Sequence, residues 1–141
     1  MFKFEINSQL LADCHRLGRL ELSHVLLNKN AALPWFILVP ETAVADLLDL
    51  PEAQRTVALS EAAVIAQLIK RHLGYLKINF AAIGNGVPQL HLHIVGRKPD
   101  DACWPAPVWG NLVESREYSA RRVVEMRELL VCYCSLQVEA R

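Results

Sequence analysis

Residues 89–95, QLHLHIV, alternate between polar and apolar side chains, and this alternation constrains the fold more than any other stretch of the chain. On a β-strand, residues two apart project from the same face at steps of roughly 6.5–7 Å, so the pattern predicts a strand with two unlike faces. The apolar face, suited to packing on a helix, consists of Leu90, Leu92 and Ile94. The opposite face consists of Gln89, His91 and His93. Two imidazoles in register on a sheet face need a chemical explanation.

The remaining strand signals place this segment in a largely antiparallel sheet. The apolar, turn-bounded stretches 22–28 and 35–40 predict two strands joined by a short connection that ends in Pro34. Residues 75–83 predict a strand that the turn GNGVP joins to the histidine strand as its antiparallel neighbour. The segment NSQLLADCHRLGRL predicts a short helix, which Ser8 can cap and Gly18 can end.

Two further helices complete the predicted architecture. Residues 51–73 have Pro51 at the first helical position and Gly74 after the last turn. Their apolar stripe consists of Val57, Val64, Ile65, Leu68 and Ile69. A last helix is expected over 116–136, where Val123, Met126, Leu130 and Tyr133 recur at helical spacing. The order predicts one α+β domain over residues 1–141, with its core in 1–110 and a C-terminal helix.

Composition excludes several classes of protein. Apolar residues make up 52% of the chain and charged residues 21%, as in ordinary globular domains. Fifteen basic and fifteen acidic residues cancel, so DNA or RNA is not the expected main partner. No run is long enough to span a membrane, and the N-terminus lacks a signal-peptide core. The four cysteines show no C-x-x-C spacing, which favours reduced thiols in a cytoplasmic protein.

Three explanations of the histidine row compete on the residues alone. The face could be an exposed polar surface that happens to contain histidine. It could be a metal site, since alternate histidines suit zinc or copper, although a third strong ligand is missing unless Asp100 or Asp101 folds back. It could serve nucleophilic catalysis at phosphorus, with one imidazole as nucleophile and the other as acid or charge partner. Backbone N–H groups of the glycine-flanked turn could then cradle phosphate oxygens.

The chain resembles the histidine triad superfamily. QLHLHIV resembles the family signature His-φ-His-φ-His-φ-φ, where φ is apolar, with Gln89 in the first histidine's place. HVLLNKNAALPWFILVPE resembles the family's paired strands, and KINFAAIGNGVPQLHLHIVGR resembles its catalytic hairpin. DDACWPAPVWG resembles the loop after the motif in some bacterial members. The resemblance covers residues 1–110 in order and spacing.

The resemblance implies hydrolysis or transfer of a nucleoside monophosphate through a covalent nucleotidyl-histidine. His91 matches the central histidine, which attacks the α-phosphorus, and a backbone carbonyl orients its other nitrogen in the family. His93 matches the third histidine, which assists the leaving group. Gln89 stands where the family has a supporting histidine, and it cannot titrate. The resemblance implies no metal or other cofactor for the chemistry.

The same resemblance implies residues for nucleotide binding. Asn28 matches an asparagine that contacts the ribose. Leu26 and Ile37 could sandwich a purine base, although plain core packing explains them equally well. Asn85 and Gly86 fall where the family contacts phosphate.

Two further positions each have a structural alternative. Asn79 is a binding candidate, and the alternative is a polar residue on an exposed strand face. Trp35 stands where many members carry histidine, so it could cover the base or simply pack.

We therefore expect a hydrolase that cleaves a purine nucleotide at its α-phosphate. The substrate could be a dinucleoside polyphosphate, a phosphoramidate or a related ester, because the sequence does not name the leaving group. The resemblance also implies a homodimer with a continuous sheet. The alternative is a nucleotide-binding or regulatory module with little turnover, because Gln89 weakens the site. A structural protein that uses the sheet only for dimerisation is a third reading.

Overall fold

A five-stranded antiparallel sheet forms the centre of the structure, a computed structural model that describes residues 2–139. The strands are β1 (Cys14–Arg19), β2 (Ser23–Asn28), β3 (Trp35–Pro40), β4 (Lys77–Ala81) and β5 (Leu92–Arg97). Their order across the sheet is β1-β2-β3-β5-β4. The helices are α1 (Ser8–Asp13), α2 (Glu52–Leu68) and α3 (Ala120–Cys134). These elements confirm the predicted α+β fold with one long helix and a C-terminal helix.

The two faces of the sheet are covered differently, and this difference positions the site. On one face, Phe36, Leu38, Leu92 and Ile94 join Ile65 of α2 in the main core. On the other face, Leu26, Ile37 and Val39 pack against Ile6, Leu10 and Cys14 from the N-terminal segment. Within residues 2–139, neither α2 nor α3 contributes to this second cluster, and His91 and His93 line a cavity beside it.

Helix α2 follows the prediction in length but not in the face that it buries. Its N-cap is Pro51, and after Leu68 the chain continues as one π-helical turn, Ile69–Leu73, which ends at Gly74 in the left-handed region (φ 77°). Glycine adopts that conformation without steric cost, so it ends the helix as predicted. The predicted stripe was wrong at Val64, which is 40% exposed, because the buried row contains the small residues Ala58 and Ala62.

The helix predicted for residues 7–20 was wrong over the second half of that segment. Helix α1 ends at Asp13, and its cap is Asn7, whose side chain accepts a hydrogen bond from the backbone N–H of Gln9. From Cys14 the chain is extended and pairs with β2, with Cys14 opposite Asn28. Pairing with a neighbouring strand therefore overrides the local helical pattern.

The histidine strand begins later than predicted, because β5 starts at Leu92 and Gln89 and His91 lie in the segment before it. Its packing is tight at Gly96, where an added Cβ would lie 2.6 Å from Ile69 Cγ2 and 2.7 Å from Pro34 Cγ.

The C-terminal helix is shorter than the predicted 116–136. In α3, Val123, Met126 and Leu130 are buried as expected, whereas Tyr133 is 55% exposed. Within residues 2–139, no helix is both long and apolar enough to cross a membrane.

Candidate active site

A cavity of about 260 Å³ opens on the histidine face of the sheet. Six of the residues that line it are sequence-predicted site residues: Asn28, Ile37, Asn85, Gly86, His91 and His93. The cavity therefore brings together both histidines, the strand asparagine and the turn before the histidine segment. A larger cavity of about 560 Å³ lies between α2 and the segment after α3, but no histidine lines it.

His91 has one ring nitrogen fixed by the backbone. Its Nδ1 lies 2.7 Å from the carbonyl oxygen of Gln89, and the residue is 7% exposed. A carbonyl oxygen only accepts, so Nδ1 carries the proton and donates it. The neutral ring then presents the lone pair of Nε2 on its opposite side. This is the arrangement that a nucleophilic imidazole requires.

In His93, Nδ1 accepts a hydrogen bond, whereas in His91 it donates one. The indole Nε1–H of Trp35 donates to Nδ1 of His93 at 3.0 Å. An indole nitrogen is a donor only, so Nδ1 of His93 carries the lone pair and the proton of the neutral ring sits on Nε2. Burial lowers the pKa of His93, and the nearby His91 lowers it further, to about 4. His93 is therefore neutral at physiological pH and offers an N–H donor.

Aromatic rings enclose the two imidazoles. The centroids of His91 and His93 lie 4.9 Å apart with the rings 72° from parallel. Trp109 packs edge-on against His93 at 5.2 Å and against Trp35 at 5.9 Å. These contacts restrict the orientation of His93 and remove water from its surroundings.

The turn before the histidine segment contributes backbone to the cavity. Gly84 adopts a positive φ of 67°, and Asn85 and Gly86 follow it along the cavity wall. Within residues 2–139, the backbone N–H groups of 84–87 donate to no other backbone group. Free N–H groups on a tight turn are suited to binding anionic oxygens.

Three predicted site residues lie outside the cavity wall. The Gln89 side chain bridges the N-terminal segment, because Oε1 accepts from the backbone N–H of Asn7 and Nε2 donates to the carbonyl of Glu5, both at 2.8 Å. Leu26 is fully buried and pairs with Ile37 across β2 and β3. Asn79 accepts a hydrogen bond from Nη1 of Arg97 at 2.8 Å.

Arg97 also organises the loop that carries Trp109. Its guanidinium binds both carboxylate oxygens of Asp101, at 2.7 and 3.1 Å, and donates to the carbonyl of Ala106 at 2.8 Å. Both charged side chains are only 1% exposed. Burial raises the pKa of Asp101, but hydrogen bonds from Arg97 and from two backbone N–H groups outweigh it and hold the pKa below its usual value. This buried pair fixes the loop against the sheet.

Helix α1 and strand β1 supply a wall of the cavity that the sequence did not predict. Leu10, Asp13 and Cys14 line the cavity. Burial raises the pKa of the Cys14 thiol to about 12, and the neighbouring Asp13 raises it as well, so the thiol stays neutral. No local signal separates α1 from β1, because Leu17 and Leu20 fit a helical stripe as well as a strand. Only the pairing of Cys14 with Asn28 identifies the extended conformation.

Within residues 2–139, no group of three histidine, cysteine, aspartate or glutamate side chains is placed to hold a metal ion.

Comparisons with known proteins identify the family. The model of the HIT domain family matches residues 9–100. A histidine triad protein of Bradyrhizobium japonicum is 36% identical, with a TM-score of 0.85 over 92% of this chain and 96% of that one. A histidine triad protein of Marinobacter aquaeolei is 34% identical, with a TM-score of 0.86 over 95% and 98%. A third, from Sinorhizobium meliloti, is 29% identical, with a TM-score of 0.86 over 92% and 96%. A comparison with curated proteins gave no significant match.

Proposed function

The chain belongs to the histidine triad (HIT) family, and on that premise we propose that it hydrolyses a purine nucleotide at the α-phosphate through a covalent nucleotidyl-His91 intermediate. Membership of this family places the chain in a superfamily of nucleotide-binding proteins and hydrolases. The substrate, the intermediate and the roles of single residues are the proposed part.

The observation that carries the proposal is the hydrogen bond of His91 Nδ1 to the Gln89 carbonyl. It leaves the Nε2 lone pair free beside a second histidine whose proton is on Nε2. The pair combines a fixed nucleophile with a fixed donor, which is the combination needed for displacement at phosphorus.

The reaction then has two displacements. Nε2 of His91 forms a bond to the α-phosphorus, the bond to the leaving group breaks, and the leaving group departs with its electron pair. The nucleotidylated ring is cationic, and its Nδ1–H still donates to the Gln89 carbonyl. A water oxygen next attacks phosphorus, and the electrons of the P–N bond return to Nε2. The leaving group gains a proton and the attacking water loses one, so the sum is addition of water across the cleaved bond.

The nucleotide would lie along the cavity with each part against a different element. We assign the ribose to Asn28 and the base to the apolar wall that includes Ile37. Asn85 and Gly86, on the turn with free N–H groups, would hold the phosphate oxygens. Leu26 supports this wall from within the core.

Two of the predicted residues take indirect roles in this proposal. Gln89 orients His91 through its backbone carbonyl, while its side chain holds the N-terminal segment in place. Asn79 acts through Arg97, which it binds.

We further propose a homodimer formed through β4. This strand lies at one end of the sheet, and within residues 2–139 its outer edge has no strand beside it. Leu59 and Phe80 are each 43% exposed, at an apolar cavity of about 190 Å³ between α2 and β4. The opposite edge differs, because Arg19 of β1 pairs with Gln137. An unpaired edge with apolar side chains beside it is suited to pairing with a second copy.

The experiment is intact-protein mass spectrometry after a brief acid quench, in chelator. The substrates are a dinucleoside polyphosphate, a phosphoramidate and an aminoacyl adenylate, each with adenine and with guanine. We expect a nucleotidyl-sized adduct and nucleoside monophosphate release with at least one of them, and neither with His91→Ala. Tight nucleotide binding without adduct or release would instead support the binding module. In that case, turnover by Gln89→His would show that the glutamine limits the site.

A further inference from the structure

We propose that Trp35 is a positioning residue for this reaction: its indole N–H fixes His93 in the tautomer that directs an Nε2–H toward the leaving group. This inference rests on the proposed function for its chemical role. Its structural content, the protonation of each nitrogen of His93, can be tested without any substrate.

The sheet register brings the two side chains together. Ile37 of β3 is directly opposite His93 of β5, and Trp35 is opposite Val95. Trp35 and His93 are therefore diagonal neighbours on one face, a relation that large aromatic side chains can bridge. The resulting bond, from indole Nε1–H to Nδ1, is 3.0 Å long and joins two residues that both line the cavity.

The bond selects one protonation state out of three. In the imidazolium and in the other neutral tautomer, Nδ1 carries a proton. The Nδ1–H of His93 and the Nε1–H of Trp35 would then be two donors facing each other at hydrogen-bond distance. The buried site could not compensate for that loss with water, because His93 is only 7% exposed. The titratable groups that share the cavity with His93 are His91, Asp13 and Cys14. Only the tautomer with its proton on Nε2 keeps the indole bond.

His91 and His93 thus receive opposite assignments from two unlike partners. A carbonyl acceptor holds the proton of His91 on Nδ1, and an indole donor holds the proton of His93 on Nε2. On the exposed side of each ring, His91 presents a lone pair and His93 presents an N–H. The hydrogen-bond partners alone therefore make His91 the nucleophile and His93 the hydrogen-bond donor.

The chemical consequence concerns the departing atom. While the bond between phosphorus and the leaving group breaks, negative charge grows on the atom that leaves, and a neutral Nε2–H stabilises it by a hydrogen bond. The leaving group keeps its electron pair and takes its proton from water. Loss of the indole donor should therefore lower kcat for a basic leaving group and change KM little, because the charge is absent in the bound substrate.

The first experiment is nitrogen-15 NMR of histidine-labelled protein near neutral pH, with the His93 signals assigned by comparison with His93→Gln. We expect Nδ1 of His93 to give the signal of an unprotonated nitrogen and Nε2 that of a protonated one, with His91 reversed. In Trp35→Phe the His93 pattern should change to a mixture of tautomers. Trp109→Phe is the matched control, since it trims the other indole that touches His93, and the His93 pattern should persist.

A second substitution separates hydrogen bonding from packing. Benzothienylalanine at position 35, introduced by chemical synthesis, has nearly the shape of tryptophan but carries sulfur in place of the N–H. We expect it to disturb the His93 tautomer as Trp35→Phe does. It should lower kcat by up to about 100-fold for a poor leaving group, the lower end of the loss when a transition-state hydrogen-bond donor is removed outright. With a weakly basic leaving group the loss should be small.

The outcomes separate this inference from the proposed function. A protonated Nδ1 on His93 in the wild type, or an unchanged tautomer in both Trp35 variants, would overturn the inference whatever the activity. The expected signals in a protein that hydrolyses no nucleotide would uphold the assignment of the tautomer and reject the proposed function. Equal loss of kcat for good and poor leaving groups would overturn the role assigned to Nε2–H.

Discussion

Substitution of Arg97 by methionine tests how the site is held together. The guanidinium is 1% exposed and forms a two-pronged ion pair with Asp101, which is equally buried. It also donates to the side chain of Asn79 and the carbonyl of Ala106. Methionine fills much of the same volume but provides no donor and no charge. Arg97→Met therefore leaves a buried carboxylate with only its backbone partners.

The expected loss of stability is large for a single substitution. Removal of one partner from a buried ion pair costs about 3–5 kcal/mol, because the remaining charge is left uncompensated. For a chain of this length, that loss corresponds to a decrease of roughly 10–15 °C in Tm. The matched control is Arg121→Met, since the Arg121 side chain is 90% exposed and pairs with Glu125 on the surface of α3. An exposed pair of this kind contributes about 0.5 kcal/mol or less.

Urea denaturation across a range of pH would measure the effect. Asp101 has a folded-state pKa below that of an aspartate in the unfolded chain. Its contribution to stability is therefore complete above the unfolded-state pKa and is lost as pH falls through the folded-state pKa. The difference in the free energy of unfolding between wild type and Arg97→Met should therefore be largest near neutral pH and shrink in acid. A loss no larger than that of Arg121→Met would refute the reasoning, as would a difference that grows in acid.

Three other substitutions probe separate features. Gln89→Ala should speed hydrogen exchange at the backbone N–H of Asn7 by about tenfold or more, because that group loses its acceptor; an unchanged rate would contradict the bond. Gly96→Ala should lower the free energy of unfolding by about 1–3 kcal/mol, because the new methyl group meets Ile69; a neutral effect in urea denaturation would show that the contact yields. Phe80→Glu should shift the protein from dimer to monomer in analytical ultracentrifugation, and an unchanged dimer would exclude the β4 interface.

The central strands could be predicted from the sequence because their signals are local. The segments 22–28 and 35–40 are apolar, of strand length and bounded by turns, and the structure confirms both. Strand β1 could not be found in this way, because its only clear determinant is pairing with β2. The buried face of α2 was misjudged for a related reason: close packing favours Ala58 and Ala62 over the larger Val64.

In the candidate site, too, the sequence predicted the features that have a local signal and missed those that depend on strand pairing. Alternation predicted that His91 and His93 would share one face, and both line the cavity. It also placed the Gln89 side chain on that face, but the regular strand starts only at Leu92, so the side chain is free to turn toward the N-terminal segment. The hydrogen bond between Trp35 and His93 depends on the register of two strands, which no local pattern specifies.

The most direct test of the central claim is the position of the bond in the covalent adduct. After a quench in denaturant at alkaline pH, where the P–N bond of a nucleotidyl-histidine is stable, peptide mapping would locate the nucleotidyl group, and phosphorus-31 NMR of the isolated peptide would identify the nitrogen that carries it. We expect the group on Nε2 of His91, because Nδ1 is held by the Gln89 carbonyl. A nucleotidyl group on Nδ1, on His93 or on Cys14 would contradict the account.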